Sequence, residues 1–218
     1  MKTNSTRDKI LKKTEKYVRE YLNGESSGHD WWHIFRVRNQ ALKIAEKEVG
    51  DLFLIEMAAL LHDLDDWKIS KSPDQKVVPE FLKKINVGRK EISQIVEIIE
   101  QVSFKGAGVI TQATSPEAEI VQDADRLDAM GAIGIARAFA YGGNKGRLIY
   151  HPQLKPEYHE NFEAYKNGAA PTINHFYEKL LLLKELLNTD TAKKMAQKRH
   201  GFMEVFLNQF FNEWENKI

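Results

Sequence analysis

Residues 52–68 read LFLIEMAALLHDLDDWK, and the fold follows from how that stretch has to be housed. Between Leu52 and Leu61 the only charged residue is Glu56. A helix with no polar stripe needs apolar neighbours on every side, so this one belongs at the centre of a helical domain. Asp51 stands before it as a cap, and the spacing predicts a helix over 52–64. The apolar run then ends in His62 and Asp63. Two ionisable side chains at the end of a core helix cost free energy unless they are hydrogen bonded or hold a metal.

The chain on either side is helical almost throughout. Ile10, Leu11, Tyr17, Val18 and Tyr21 form one stripe, which predicts a helix over 6–21 that stops at Asn23-Gly24. Asp30 reads as the N-cap of a helix to Val49. Amphipathic spacing predicts further helices over 74–85 and 88–102. Ser115-Pro116-Glu117 supplies a capping hydroxyl, a proline for the first turn and an acid at the positive dipole end. That helix should run to about Met130, where Gly131 and Gly134 either break it or let another helix pack closely. Residues 141–168 contain Gly142, Gly143, Gly146, Pro152 and Pro156, and read as a long irregular segment. Helices over 172–187 and 190–214 close the chain. No β-branched alternating segment, repeat or linker is present. The expectation is an all-α, single-domain bundle over 1–218. Its metal-site core would lie at about 28–130, with the C-terminal helices 172–216 packing on it.

Composition narrows the function. The 218 residues carry 32 Lys+Arg against 31 Asp+Glu, a net charge of +1. Nucleic-acid binders usually show a clear basic excess, so no nucleic-acid partner is expected. Cysteine is absent. That removes disulfides, thiolate nucleophiles and Cys-held zinc. The opening MKTNSTRDKILKKTEKYV has no apolar h-region, and no apolar run approaches the ~18 residues that span a bilayer. A cytoplasmic protein without a membrane partner is expected. The apolar C-terminal helices serve either a homodimer or the core.

Three stretches carry chemistry. The first is the His62–Asp63 pair. Consecutive helical side chains point about 100° apart, so both reach one ion only if it sits against that edge of the helix. The second is GHDWWHIFRV, residues 28–37, where His29 and His33 share a helix face. His29 could merely sit near the cap while His33 packs in the core. The third is VQDADRLDAMG, residues 121–131. Asp123 and Asp125 lie about 200° apart around a helix, so they cannot both face one ion. A solvated acidic face is the structural alternative, but Ile120, Val121, Ala124, Leu127 and Ala132 argue that this helix is mostly buried.

Together these stretches resemble the HD superfamily of metal-dependent phosphohydrolases, whose pattern is H…HD…D on a helical bundle. His33, His62, Asp63 and Asp125 match the four metal-ligand positions. The ADRL segment around Asp125 resembles the last motif. GHDWWHIFRV, AALLHDLDDWK, VQDADRLDAMGAIGIARAFAYGG and the terminal HFYEKLLLLKELLNT…KRHGFMEVFLNQF resemble a bacterial subgroup of small stand-alone members nearly end to end. The resemblance implies that Asp66, three residues after the ligand Asp, is the catalytic acid/base. Many relatives have Glu there. Asp65 is its rival, with a helix-end surface acid as its plainer reading.

Two imidazoles and two carboxylates give one divalent ion mixed nitrogen and oxygen donors. This suits Mn²⁺ foremost, with Co²⁺, Ni²⁺, Fe²⁺, Zn²⁺ or Mg²⁺ as alternatives. Such an ion polarises a phosphoryl oxygen and acidifies water, so no protein nucleophile is required. Phosphate charge then calls for cations. Lys68, Lys105, Lys145 and Arg147 are the candidates, with Arg126 and Arg137 weighed beside them. Arg126 is better explained by pairing with Asp123 or by orienting Asp125. His29 is a candidate substrate contact near the metal. Trp31, Trp32, Phe104, Tyr141 and Tyr150 could stack on a base. The resemblance implies cleavage of a nucleotide phosphoester or phosphoanhydride, with nucleoside triphosphate going to monophosphate and pyrophosphate. A non-catalytic nucleotide- and metal-binding regulator on the same fold is the alternative.

Overall fold

The computed structural model describes residues 2–25, 27–65, 76–104, 111–157 and 170–217. Among these residues the ordered elements are helices, and there is no strand. No described helix is long and apolar enough to cross a membrane. The chain divides into two compact units: Met1–Phe104 with Thr111–Asp125, and Lys105–Ile110 with Arg126–Ile218.

The first unit holds α1 (Lys2–Tyr21), α2 (Trp31–Ala45), α3 (Leu52–Leu61), α4 (Val77–Lys84), α5 (Arg89–Glu100) and most of α6 (Pro116–Asp128). As its apolar circumference requires, α3 is the hub, packed against α1, α2 and α5. All of its side chains except Leu52 and Glu56 are buried. Each large apolar one contributes about 1.5–3 kcal/mol of transfer free energy. Asp51 caps α3 by accepting from the backbone N–H of Phe53 at 2.8 Å. The Arg7 guanidinium ties that carboxylate (3.3 Å) to Glu91 (2.9 Å), joining α1, α3 and α5. Glu56, the one charge inside α3, accepts from Arg38 Nε of α2 at 2.7 Å, and Arg38 also reaches Glu15 of α1 at 3.1 Å. Ser115 Oγ caps α6 by accepting from Ala118 N–H at 3.1 Å. Glu117 in its first turn accepts from Asp51 N–H at 2.9 Å, so α6 is tied to the start of α3.

The second unit holds the end of α6, α7 (Gly131–Asn144), α8 (Thr172–His175) and α9 (Asp190–Trp214). Phe176 is fully buried, with Phe206 stacked on it at 5.6 Å and Phe139 at 6.1 Å.

Several boundaries differ from expectation. Helix α3 stops at Leu61, so His62 is its C-cap and Asp63 lies in the turn beyond. The stretch after Met130 is a full helix, and it absorbs Tyr141–Asn144 of the segment expected to be irregular. Gly131 is a break, with φ +70°, and Gly134 is a close approach: a Cβ there would stand 2.2 Å from the Ala129 carbonyl oxygen. Residues 172–187 do not form one regular helix. A wide turn covers Phe176–Leu180, with Leu181 N–H reaching back five residues to the Phe176 carbonyl at 2.9 Å, and a tight turn covers Leu182–Leu186. The run LLLLKELL offers no single stripe that would hold one register.

Candidate metal centre

His33 enters from α2. Asp30, the N-cap, accepts from His33 N–H at 3.0 Å and so fixes the first turn that carries the imidazole. His62 and Asp63 come from the end of α3 and its turn, and Asp125 from α6. His33 Nε2 lies 3.3 Å from His62 Nε2, 3.3 Å from Asp63 Oδ2 and 3.5 Å from Asp125 Oδ1. His62 Nε2 lies 3.5 Å from Asp63 Oδ1 and 3.7 Å from Asp125 Oδ1. These adjacent residues converge where α3 ends, His62 as its C-cap and Asp63 in the turn beyond.

The tautomer of His62 follows from its outer nitrogen. Nδ1–H donates to the Ala59 carbonyl at 3.0 Å, which leaves the neutral ring with its Nε2 lone pair facing His33. His33 is fully buried, Asp63 nearly so, and Asp125 keeps a quarter of its side chain exposed. Asp63 Oδ2 is buried without a hydrogen-bond partner, which is costly for a carboxylate oxygen. A first-row divalent ion with donors about 2.0–2.2 Å away sets neighbouring donors about 3.0–3.4 Å apart. The two shortest spacings, both 3.3 Å, fall in that range, the other three at 3.5–3.7 Å lie just beyond it, and the orphaned oxygen points the same way. His33, His62 and Asp63 form the tight three-donor group among the described residues, and Asp125 closes on both imidazoles.

The electrostatics favour a cation. Burial opposes a charged imidazole at His62, yet Asp63 and Asp125 outweigh it and push the pKa up to about 9. Burial would raise the Asp63 carboxyl, but His62, His33 and His29 hold it well below the usual carboxylate range. Asp125 is likewise lowered, against burial, by His62 and His33.

The remaining candidates fall in different places. Asp66, Lys68 and Lys105 lie outside the described residues. Asp65 is a half-buried cap for α4: its two oxygens accept from Val77 N–H at 2.7 Å and Val78 N–H at 3.2 Å. His29 stands beside the centre, its ring 5.8 Å from that of His33 and its Nδ1 3.2 Å from Ser27 Oγ. Lys145 and Arg147 belong to the second unit, where they flank Tyr141 at 5.7 and 5.5 Å from its ring. Arg137 is paired with Asp128 at 3.0 Å, and Arg126 donates to the Leu186 carbonyl. Of the aromatics, Trp31 and Phe104 are buried, with Arg19 lying 4.4 Å over the Trp31 ring. Tyr150 packs edge-on against Phe210, Phe211 and Trp214. One orienting contact escaped the sequence reading, the Ala59 carbonyl on His62. The Asp30 carboxylate on His33 N–H is the N-cap bond expected of Asp30, since an N-cap side chain bonds two or three residues on.

A family model described as HD domain matches residues 31–130. The Bacillus subtilis protein YpgQ is 42% identical over 207 residues, covering 92% of this chain and 93% of its own. A crystal structure of YpgQ in complex with ADP superposes with a TM-score of 0.76 and 36% identity, over 95% of this chain and 96% of that one. A crystal structure from Lactobacillus plantarum gives a TM-score of 0.87 at 40% identity, covering 95% and 98%. An HD-superfamily hydrolase from Bacillus thuringiensis gives 0.72 at 44% identity, covering 96% and 98%.

Proposed function

Since this chain belongs to the HD superfamily of hydrolases, we propose that it is a divalent-metal phosphohydrolase acting on a nucleotide. It would cleave a nucleoside triphosphate to monophosphate and pyrophosphate. The observation that carries the reading is the cluster of four donors, two imidazole nitrogens and two carboxylates, within 3.3–3.7 Å of one another's nearest partners. The ADP bound to YpgQ supports a nucleotide as the ligand class.

In this reading His33, His62, Asp63 and Asp125 hold one ion, with Mn²⁺ the first choice. When bound, the ion supplies Lewis acidity, drawing charge from a phosphoryl oxygen and acidifying water. Asp66 accepts the proton of the attacking water. Water oxygen bonds to the α-phosphorus, the bond from that phosphorus to the bridging oxygen breaks, and pyrophosphate leaves. Lys68, Lys105, Lys145 and Arg147 are assigned to the phosphate charge, and His29 to a substrate contact. Ala59 keeps the His62 tautomer, and burial keeps water from competing for Asp63. The cytoplasm is the proposed compartment. The test is a panel of nucleoside triphosphates with Mn²⁺ or Co²⁺, wild type against Asp63→Ala, with products resolved by chromatography. Nucleoside monophosphate and pyrophosphate from the wild type alone support the reading. Equal rates in both proteins, or no turnover of any nucleotide, reject it.

A further inference from the structure

Resting on the nucleotide reading above, we propose that Trp32 is the platform on which the nucleobase stacks, with Phe35 set edge-on beside it. The inward direction of α2 is fixed by Ile34, Val37, Ala41 and Ile44, all fully buried. His33 lies on one border of that inward face. Going round the helix at 100° per residue, away from the core, one passes Arg36 and then reaches Trp32. Trp31 and Arg38 occupy the opposite border. Trp32 therefore directly precedes the ligand His33 in the chain and turns about 100° from it, towards solvent.

Trp32 is 58% exposed and Phe35 37% exposed, on a side of α2 that otherwise shows Asn39 and Lys43 to water. Their rings sit 5.8 Å apart at 79°, an edge-to-face pair that occupies at most one face of the indole. Trp31, Phe104 and Tyr150 are committed to packing, and Trp32 is not. Side chains adjacent on one helix lie within its overall width of about 10–12 Å, a span that a ribose and its phosphates can bridge. An aromatic face binds any base through its π-surface. Recognition here should be tolerant of base identity and absent for base-free phosphates.

The test uses the full-length Mn²⁺-loaded protein, titrated by calorimetry with ADP and, as a base-free probe, with pyrophosphate. Trp32→Ala should weaken ADP binding about tenfold and leave pyrophosphate binding unchanged. Trp32→Tyr should retain most of the wild-type affinity for ADP. Unchanged ADP affinity in Trp32→Ala, equal losses for ADP and pyrophosphate, or an altered sedimentation profile as the variant's only defect would overturn the proposal; the last would make the pair a self-association surface. Wild type that binds ADP through Trp32 but hydrolyses no nucleotide would sustain this inference while rejecting the phosphohydrolase reading. Wild type that does not bind ADP would reject this one.

Discussion

A proton and a divalent ion compete for the same lone pair on His62. Without an ion, Asp63 and Asp125 hold the imidazole protonated up to about pH 9. Metal binding at pH 7 must therefore displace that proton, and affinity should rise about tenfold per pH unit from pH 7 towards 9, then level off. The sign is fixed because only the deprotonated ring ligates. Mn²⁺ titrations in buffers of different ionisation enthalpy measure the release directly, and an affinity flat between pH 7 and 9 would contradict it. At this scale part of the site was legible. His62 and Asp63 stand out because they terminate an apolar run. Asp125 did not, because three aspartates fall within six residues of chain and only the orientation of α6 selects among them. Geometry excluded a shared ion for Asp123 and Asp125, and the resemblance supplied the choice.

Helices are decided by their ends as much as by their faces. Asp65 spends both oxygens on the first N–H groups of α4, whose own N-cap, Lys76, contributes no side-chain bond. Asp65→Ala should cost about 1 kcal/mol of stability, read by urea denaturation, and leave turnover within a few fold. Loss of turnover in a folded Asp65→Asn variant would instead make Asp65 the acid/base in place of Asp66. In the same way α3 can stay at the hub only because Arg38 answers Glu56. Arg38→Met leaves that largely buried carboxylate facing Glu15 and should cost about 2 kcal/mol. The apolar run and the caps Asp30, Asp51 and Ser115 made α2, α3 and α6 readable. Helix α7 was hidden because Gly131, Gly134, Gly142 and Gly143 all look like punctuation in one dimension. Gly134 is instead a consequence of backbone approach, which no local pattern encodes.

At the level of the whole chain, all four donors belong to the first unit, on α2, α6 and the end of α3. An ion that binds them holds three helices at once and binds only the folded unit. At a free concentration of a hundred times its dissociation constant it adds about 2.7 kcal/mol. For a chain of roughly 150–250 residues each kcal/mol moves the midpoint by about 2–4 °C. Mn²⁺ should therefore raise the thermal midpoint of the chelator-treated protein by about 5–10 °C, and Asp63→Ala should abolish the rise. Hydrogen exchange locates the effect. Amides in α2, α3 and α6 should gain protection on adding Mn²⁺, while those of α9 in the second unit should change little. Equal gains across both units would mean that the ion acts nonspecifically on a chain whose net charge is only +1. Gains confined to α9 would place the ion somewhere other than the His33–His62–Asp63–Asp125 cluster, and the proposed chemistry would lose its centre.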